Sequence, residues 1–293
     1  MAPAPVRARY TNSESVFKPD IFKGKVLFCT GGGSGICKEM TYAVMKHGAN
    51  ATIVGRKLDR ITQAAEELSK GTGNTCIPAQ ADVRRPDELK EAVKKTIEKF
   101  GRIDFVICGA AGNFLAPLSG LSENAFRTVI EIDTLGTFNT FKATIPYVRQ
   151  SHGSYIHVSA TLHYRGLPYQ AHVSSAKAGV DALSRVIAVE EGPWGVRSNV
   201  IAPGPIAATE GMSRLSVSGT GRSLESLIPL GRQGAVQDIA NATVFLFSDA
   251  ASLITGEALV VDGGLQHLSS SSFPYPEAVL NPESVRKMFK GKL

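Results

Sequence analysis

From residue 25 onward, short apolar runs alternate with longer amphipathic stretches. The runs span 26–30, 51–54, 75–78, 105–108, 155–158, 198–201 and 258–261. Each is short, rich in β-branched residues and nearly continuous in apolar character, the signature of a strand buried on both faces. Between them a period near 3.6 predicts helices over about 35–47, 59–70, 86–100, 123–149, 174–191 and 236–247. Pro86 suits a first helical position, where no N–H partner is needed, and Ser122 suits an N-cap. Such alternation predicts an α/β fold: a single doubly wound Rossmann-type domain, with a seven-stranded parallel sheet and helices on both faces.

Three segments fall outside that rhythm. Residues 1–22 contain Pro3, Pro5, Thr11, Asn12 and Ser13 without periodicity and read as an N-terminal arm. Residues 23–265 carry the whole pattern and hold no Pro/Ser-rich linker. Within them, 204–232 is broken by Gly204, Pro205, Gly211, Gly219, Gly221, Pro229 and Gly231, as expected of a substrate lid. Residues 266–293 form a C-terminal extension.

Charge changes the picture through its distribution. The chain of 293 residues carries a formal +6. Arg7, Arg9, Lys18, Lys23 and Lys25 outweigh Glu14 and Asp20 at one end, and Arg286, Lys287, Lys290 and Lys292 outweigh Glu283 at the other. The stretch between sums to zero, so a basic groove for nucleic acid is not expected. Cys29, Cys37, Cys76 and Cys108 have neither metal-ligand nor disulfide-framework spacing, and a reducing compartment fits them. No apolar run reaches the roughly 18 residues of a membrane span, and the N-terminus lacks a hydrophobic signal core.

Candidate chemistry begins at the first strand–helix junction. There Thr30 is followed by Gly31-Gly32-Gly33-Ser34-Gly35-Ile36. A glycine turn opening a helix presents N–H groups and the positive dipole end to a pyrophosphate, although a tight turn without a ligand has the same pattern. The second strand ends at Arg56-Lys57, where an acidic residue would meet a free ribose hydroxyl. Positive charge there selects a 2′-phosphate, hence NADPH. The other reading is two solvated helix-start cations. Asp82 suits either the adenine edge or a helix cap.

These residues resemble the short-chain dehydrogenase/reductase family over about 24–265. The resemblance extends through Asp82-Val83, Gly109-Ala110-Ala111-Gly112, Ala176-Lys177-Ala178-Gly179, Asn199, Pro203-Gly204 and Asp262-Gly263-Gly264. It implies cofactor contacts at Gly31, Gly33, Ser34, Gly35, Ile36, Arg56, Lys57, Asp82, Lys177, Pro203, Gly204, Ile206 and Thr209. It also implies a homo-oligomer, dimer or tetramer. Three positions depart from the family. Its third loop glycine is Cys37, its catalytic tyrosine is Val173 and its asparagine at the bend of the fourth helix is Asp133. Without a phenol to protonate an alkoxide, simple alcohol/carbonyl exchange is not expected.

The stretch Ala110-Ala111-Gly112-Asn113-Phe114, the Ile132-Asp133-Thr134 bend, and Pro203-Gly204-Pro205-Ile206 resemble the family's 2,4-dienoyl-CoA reductase branch. His172, Thr209-Glu210-Gly211 and Arg214 resemble its peroxisomal members. That implies hydride addition to a conjugated diene, with charge growing on the thioester oxygen rather than on an alkoxide. The resemblance implies catalytic roles for Asp133, Lys177, Asn113 and Tyr164, with fatty acyl-CoA contacts at Arg56, Arg84, Asn113, Phe114 and Arg214. Each has a plainer reading: an Asx turn at Asn113, a surface aromatic at Tyr164, a structural ion pair for Asp133 and Lys177, a core side chain at Phe114, solvated charges at Arg84 and Arg214. The last residues, Gly291-Lys292-Leu293, resemble a peroxisomal import signal read by its receptor. Two other functions stay open: reduction of 3-oxoacyl thioesters, and a silent NADP-binding protein.

Overall fold

The computed structural model describes residues 12–209, 224–268 and 280–281. Seven strands form one sheet in the order β3-β2-β1-β4-β5-β6-β7, every neighbouring pair parallel. They are β1 (Val26–Thr30), β2 (Asn50–Gly55), β3 (Cys76–Gln80), β4 (Phe105–Cys108), β5 (Ser154–Val158), β6 (Arg197–Pro203) and β7 (Ala258–Val261). Every residue of β1 is buried, because helices cover both faces. Leu27 and Cys29 join the core on one face; Phe28 joins that on the other. Pro78 sits in β3, an edge strand, where its missing N–H breaks no inner ladder.

Among the described residues the helices include α1 (Gly35–Lys46), α2 (Leu58–Thr72), α3 (Pro86–Phe100), α4 (Glu123–Ile130), α5 (Gly136–Ser151), α6 (Ala171–Glu191), α7 (Val236–Phe247) and the one-turn α8 (Leu265–Leu268). Side chains of α1, α2 and α7 fill the first core, and those of α3 and α5 the second. The arm, from Asn12 on, packs against the end of α1: Phe22 is buried, its N–H donates to the His47 carbonyl, and a His47 ring nitrogen pairs with Ser13.

Two features differ from the sequence pattern. The expected single helix over 123–149 is interrupted by a π-helical stretch, Glu131–Leu135, between α4 and α5. The wider turn carries Asp133 inward, a distortion that periodicity does not reveal. Further on, α6 begins at Ala171, so His172 and Val173 occupy its first turn.

The strand order reverses between β1 and β4, whose carboxyl ends splay the following loops apart. That crevice is the expected ligand position in an open α/β sheet.

Candidate active site

A cleft of ≈ 670 Å³ lies at this reversal. Its nucleotide wall is mostly backbone. Gly31 adopts φ +75°, and a Cβ there would lie 2.7 Å from the Gly109 carbonyl oxygen, so only glycine fits the approach of the two loops. Gly33, Ser34, Gly35 and Ile36 continue the wall into α1. Cys37, at the family's third glycine, sets its thiol against Gly109, where any Cβ would overlap it; a glycine on β4's exit loop absorbs the added bulk. Arg56 and Lys57 reach the cleft from the end of β2 and are exposed. Asp82 lines it too, but its carboxylate accepts two bonds from Arg84 Nε and one, at 2.6 Å, from Nη2. These bonds hold Asp82 below the usual carboxylate range. Arg84 is therefore engaged with Asp82 and does not line the cleft.

The opposite wall is side-chain chemistry. Lys177 on α6 and Asp133 on the π stretch form a buried ion pair, Nζ to Oδ2 3.0 Å. Lys177 also donates to the Val158 carbonyl at the end of β5, at 2.9 Å. The bond to Val158 commits one N–H direction and the ion pair holds the charge in place, which leaves N–H capacity for a ligand. Asp133 Oδ1 accepts from the Gly112 N–H at 2.8 Å, fixing the loop immediately before Asn113. Thr134 donates to the Ala176 carbonyl, and Gly179 leaves room for the Thr134 side chain, so the π stretch docks tightly on α6. Asn113 faces the cleft with a buried, unpartnered Oδ1. Val173, at the family's tyrosine position, packs with Val129 and Ala176.

Asn113, Asp133 and Lys177 thus meet at one cleft, with Pro203, Gly204, Ile206 and Thr209 along its floor. Tyr164 does not join them. It is half-exposed, away from the lining, and donates to Asp181 Oδ2 at 3.1 Å. Burial, together with the Asp181 charge, raises its hydroxyl well above the usual tyrosine range. The hydroxyl of Tyr164, for which a catalytic role was expected, is thus engaged with Asp181. Phe114 stacks on His172, ring centroids 4.2 Å apart, while His172 Nε2 donates to the Phe114 carbonyl at 3.0 Å. Burial lowers the His172 pKa, consistent with a neutral ring carrying its hydrogen on Nε2. Arg214 and Gly291-Lys292-Leu293 lie outside the described residues. Of the expected lid, the described ends Thr209 and Leu224 both line the cleft.

The sequence pattern missed Asp181. Burial acts to raise its pKa, yet bonds from His163 (2.7 Å) and Tyr164 (3.1 Å) bring it below the ordinary value. Its only signal was a spacing of one helical turn after Lys177.

The cradle, in which a Cβ at Gly31 would overlap backbone, and the cations at the end of β2 fit a dinucleotide with a ribose phosphate.

A parallel sheet with a glycine loop at its reversal and a buried lysine opposite defines a dinucleotide-dependent oxidoreductase. Residues 31–266 match the family model described as enoyl-(acyl carrier protein) reductase. The chain belongs to the short-chain dehydrogenase/reductase family, whose members use a nicotinamide cofactor. It is 49% identical over 284 residues to the peroxisomal 2,4-dienoyl-CoA reductase of Saccharomyces cerevisiae, covering 96% of each chain. It is 48% identical to the peroxisomal 2,4-dienoyl-CoA reductase of Danio rerio, covering 87% of this chain and 85% of the relative. Among solved structures, a short-chain dehydrogenase of Bacillus anthracis is 37% identical with a TM-score of 0.75, covering 86% of this chain and 100% of that one.

Proposed function

We propose that this chain reduces 2,4-dienoyl-CoA to (3E)-enoyl-CoA with NADPH, in the peroxisome. The observation that carries this reading is the buried Asp133–Lys177 pair beside Asn113, in a cleft where Val173 replaces a phenol. The names of relatives at 42–49% identity point to the same reaction.

When bound, the nicotinamide supplies the hydride. Hydride addition to the far end of the diene puts negative charge on the thioester oxygen. The Asn113 amide N–H meets that oxygen as the charge grows, in a site that costs little reorganisation. Lys177 holds the cofactor ribose through its free N–H direction and adds positive charge to the anion's surroundings. Asp133 keeps Lys177 in place and, through Gly112, sets the position of Asn113. A water held by Asp133 and Lys177 delivers the proton to the α-carbon. No step requires a phenol, because no alkoxide forms. Arg56 and Lys57 favour NADPH over NADH through the 2′-phosphate.

The peroxisomal address is supported by the names of the relatives. A homo-oligomer is supported by exposed Phe138 on α5 and Val186 and Val189 on α6. Among the described residues no helix is long and apolar enough to cross a membrane.

The test is to mix purified protein, NADPH and 2,4-hexadienoyl-CoA and follow both chromophores. Coupled loss of diene and NADPH absorbance, with a 3-enoyl product, is expected. Oxidation of NADPH by acetoacetyl-CoA alone, or NADPH binding without turnover on either thioester, overturns the proposal.

A further inference from the structure

Two polar side chains of the 165–172 segment that line the cleft await a partner. Arg165 directly follows the turn Thr161–Tyr164, and Gln170 directly precedes α6; both line the cleft. Arg165 Nε and Gln170 Oε1 are buried and make no hydrogen bond among the described residues, and Gln170 as a whole is only 9% exposed. A buried polar atom without a partner destabilises the protein that holds it, so orphans inside a ligand cleft mark bonds that a ligand completes.

This segment is also firmly placed. The Ala116 N–H donates to the Tyr169 carbonyl at 3.1 Å, and His172 Nε2 donates to the Phe114 carbonyl. Two bonds therefore tie the 165–172 segment to the loop carrying Asn113. Tyr169 sits at φ +65°, a conformation that a non-glycine residue adopts only where its surroundings enforce it.

The two orphans have opposite needs. Arg165 Nε–H requires an acceptor, whereas Gln170 Oε1 requires a donor. A phosphate offers acceptors and leaves Gln170 facing like charge. A hydrocarbon chain offers neither group. A secondary amide offers both, its C=O to Arg165 and its N–H to Gln170. An acyl-CoA carries such an amide in its pantetheine arm, two methylenes from the thioester sulfur. Resting on the acyl-CoA reading above, we propose that Arg165 and Gln170 form the subsite for this first amide. Holding the amide there sets the thioester carbonyl within the short reach of Asn113 and selects thioesters of the CoA type over those with a plain alkyl thiol.

The test uses the NADP⁺-saturated protein and three saturated thioesters, titrated calorimetrically: hexanoyl-CoA, hexanoyl-N-acetylcysteamine and S-propyl hexanethioate. The second keeps only the first amide and the third has none. Arg165→Met and Gln170→Leu preserve side-chain volume. Each is expected to weaken the first two ligands about tenfold and the third less than about twofold, with the Kd for NADPH unchanged and the unfolding temperature of the ligand-free protein unchanged or raised. Equal losses on all three ligands, or a loss on hexanoyl-CoA alone, overturns the proposal; the latter assigns Arg165 to a CoA phosphate. Saturated thioesters undergo no reduction, so the titration reads the subsite independently of turnover. Failure to reduce dienoyl-CoA sinks the proposed reaction, whereas amide-independent binding sinks the subsite.

Discussion

The two walls of the cleft carry charge in opposite ways. On the nucleotide wall Arg56 and Lys57 stand exposed, and the recognition surface behind them is backbone and glycine. On the catalytic wall Asp133 and Lys177 are 1% and 6% exposed and neutralise each other. An exposed cation acts alone and can be lost for little more than its own ligand contact. A buried pair cannot be halved, because the survivor keeps its desolvation cost without a partner. The nucleotide wall is therefore tunable, and the catalytic wall is all-or-none.

Lys177→Met breaks the comparison most severely. It strands the Asp133 carboxylate and is expected to cost about 3–5 kcal/mol of stability, with activity falling below detection. Thermal unfolding and the coupled diene assay measure both. Asp133→Asn keeps an acceptor for the Gly112 N–H but leaves the Lys177 charge without its counter-ion, so the unfolding temperature is expected to fall as well, and turnover to fall about 10- to 100-fold. The Kd for NADPH should stay within about twofold, a change worth under 0.5 kcal/mol, and fluorescence titration checks it. An equal loss of NADPH affinity would show that the two walls are not separable. Arg56→Ala tests the tunable wall, with KM for NADPH expected to rise about tenfold and KM for NADH to stay level.

An effect confined to acid pH lies beneath the catalytic wall, on β5. His157 is completely buried against Ser198, and burial lowers its pKa to about 4. Between about 6.5 and 4 the unfolded chain takes up a proton that the folded chain refuses. This group's contribution is therefore present above pH 6.5 and declines by at most about 3 kcal/mol as pH falls to 4. His157→Gln should flatten that part of a Tm-against-pH curve. Smallest of all, Tyr164→Phe removes a hydroxyl directed at Asp181, and kcat is expected to change less than about threefold, or 0.7 kcal/mol. A loss of 100-fold would return Tyr164 to the chemistry.

The nucleotide wall was legible because each of its parts is local. A glycine turn, its strand and its helix lie within a dozen residues, and Arg56-Lys57 closes the next strand. Strand runs were legible for a related reason, since burial on both faces of a parallel sheet writes itself as continuous apolar sequence. The catalytic wall was only half legible. Asp133 and Lys177 were identifiable as departures from, and agreements with, a family pattern, yet nothing in the spacing required that they touch. Arg165, Gln170 and Asp181 gave almost no signal, because an arginine or glutamine between strand and helix looks like solvent-exposed loop. For Tyr164 the sequence was silent on direction, because position along the chain does not fix which way a ring points in a short turn.

What the residues alone determined was the succession of elements, the parallel sheet and the phosphate-binding turn, since each follows from periodicity and backbone freedom over a few neighbours. Only tertiary packing decided the rest. The π-helical stretch had to meet α6 before Asp133 could turn inward onto Lys177, and the 165–172 segment had to bond to the Asn113 loop before two polar side chains could be left facing a ligand. Contacts between residues far apart in sequence depend on the closing of the whole sheet, which no local pattern encodes.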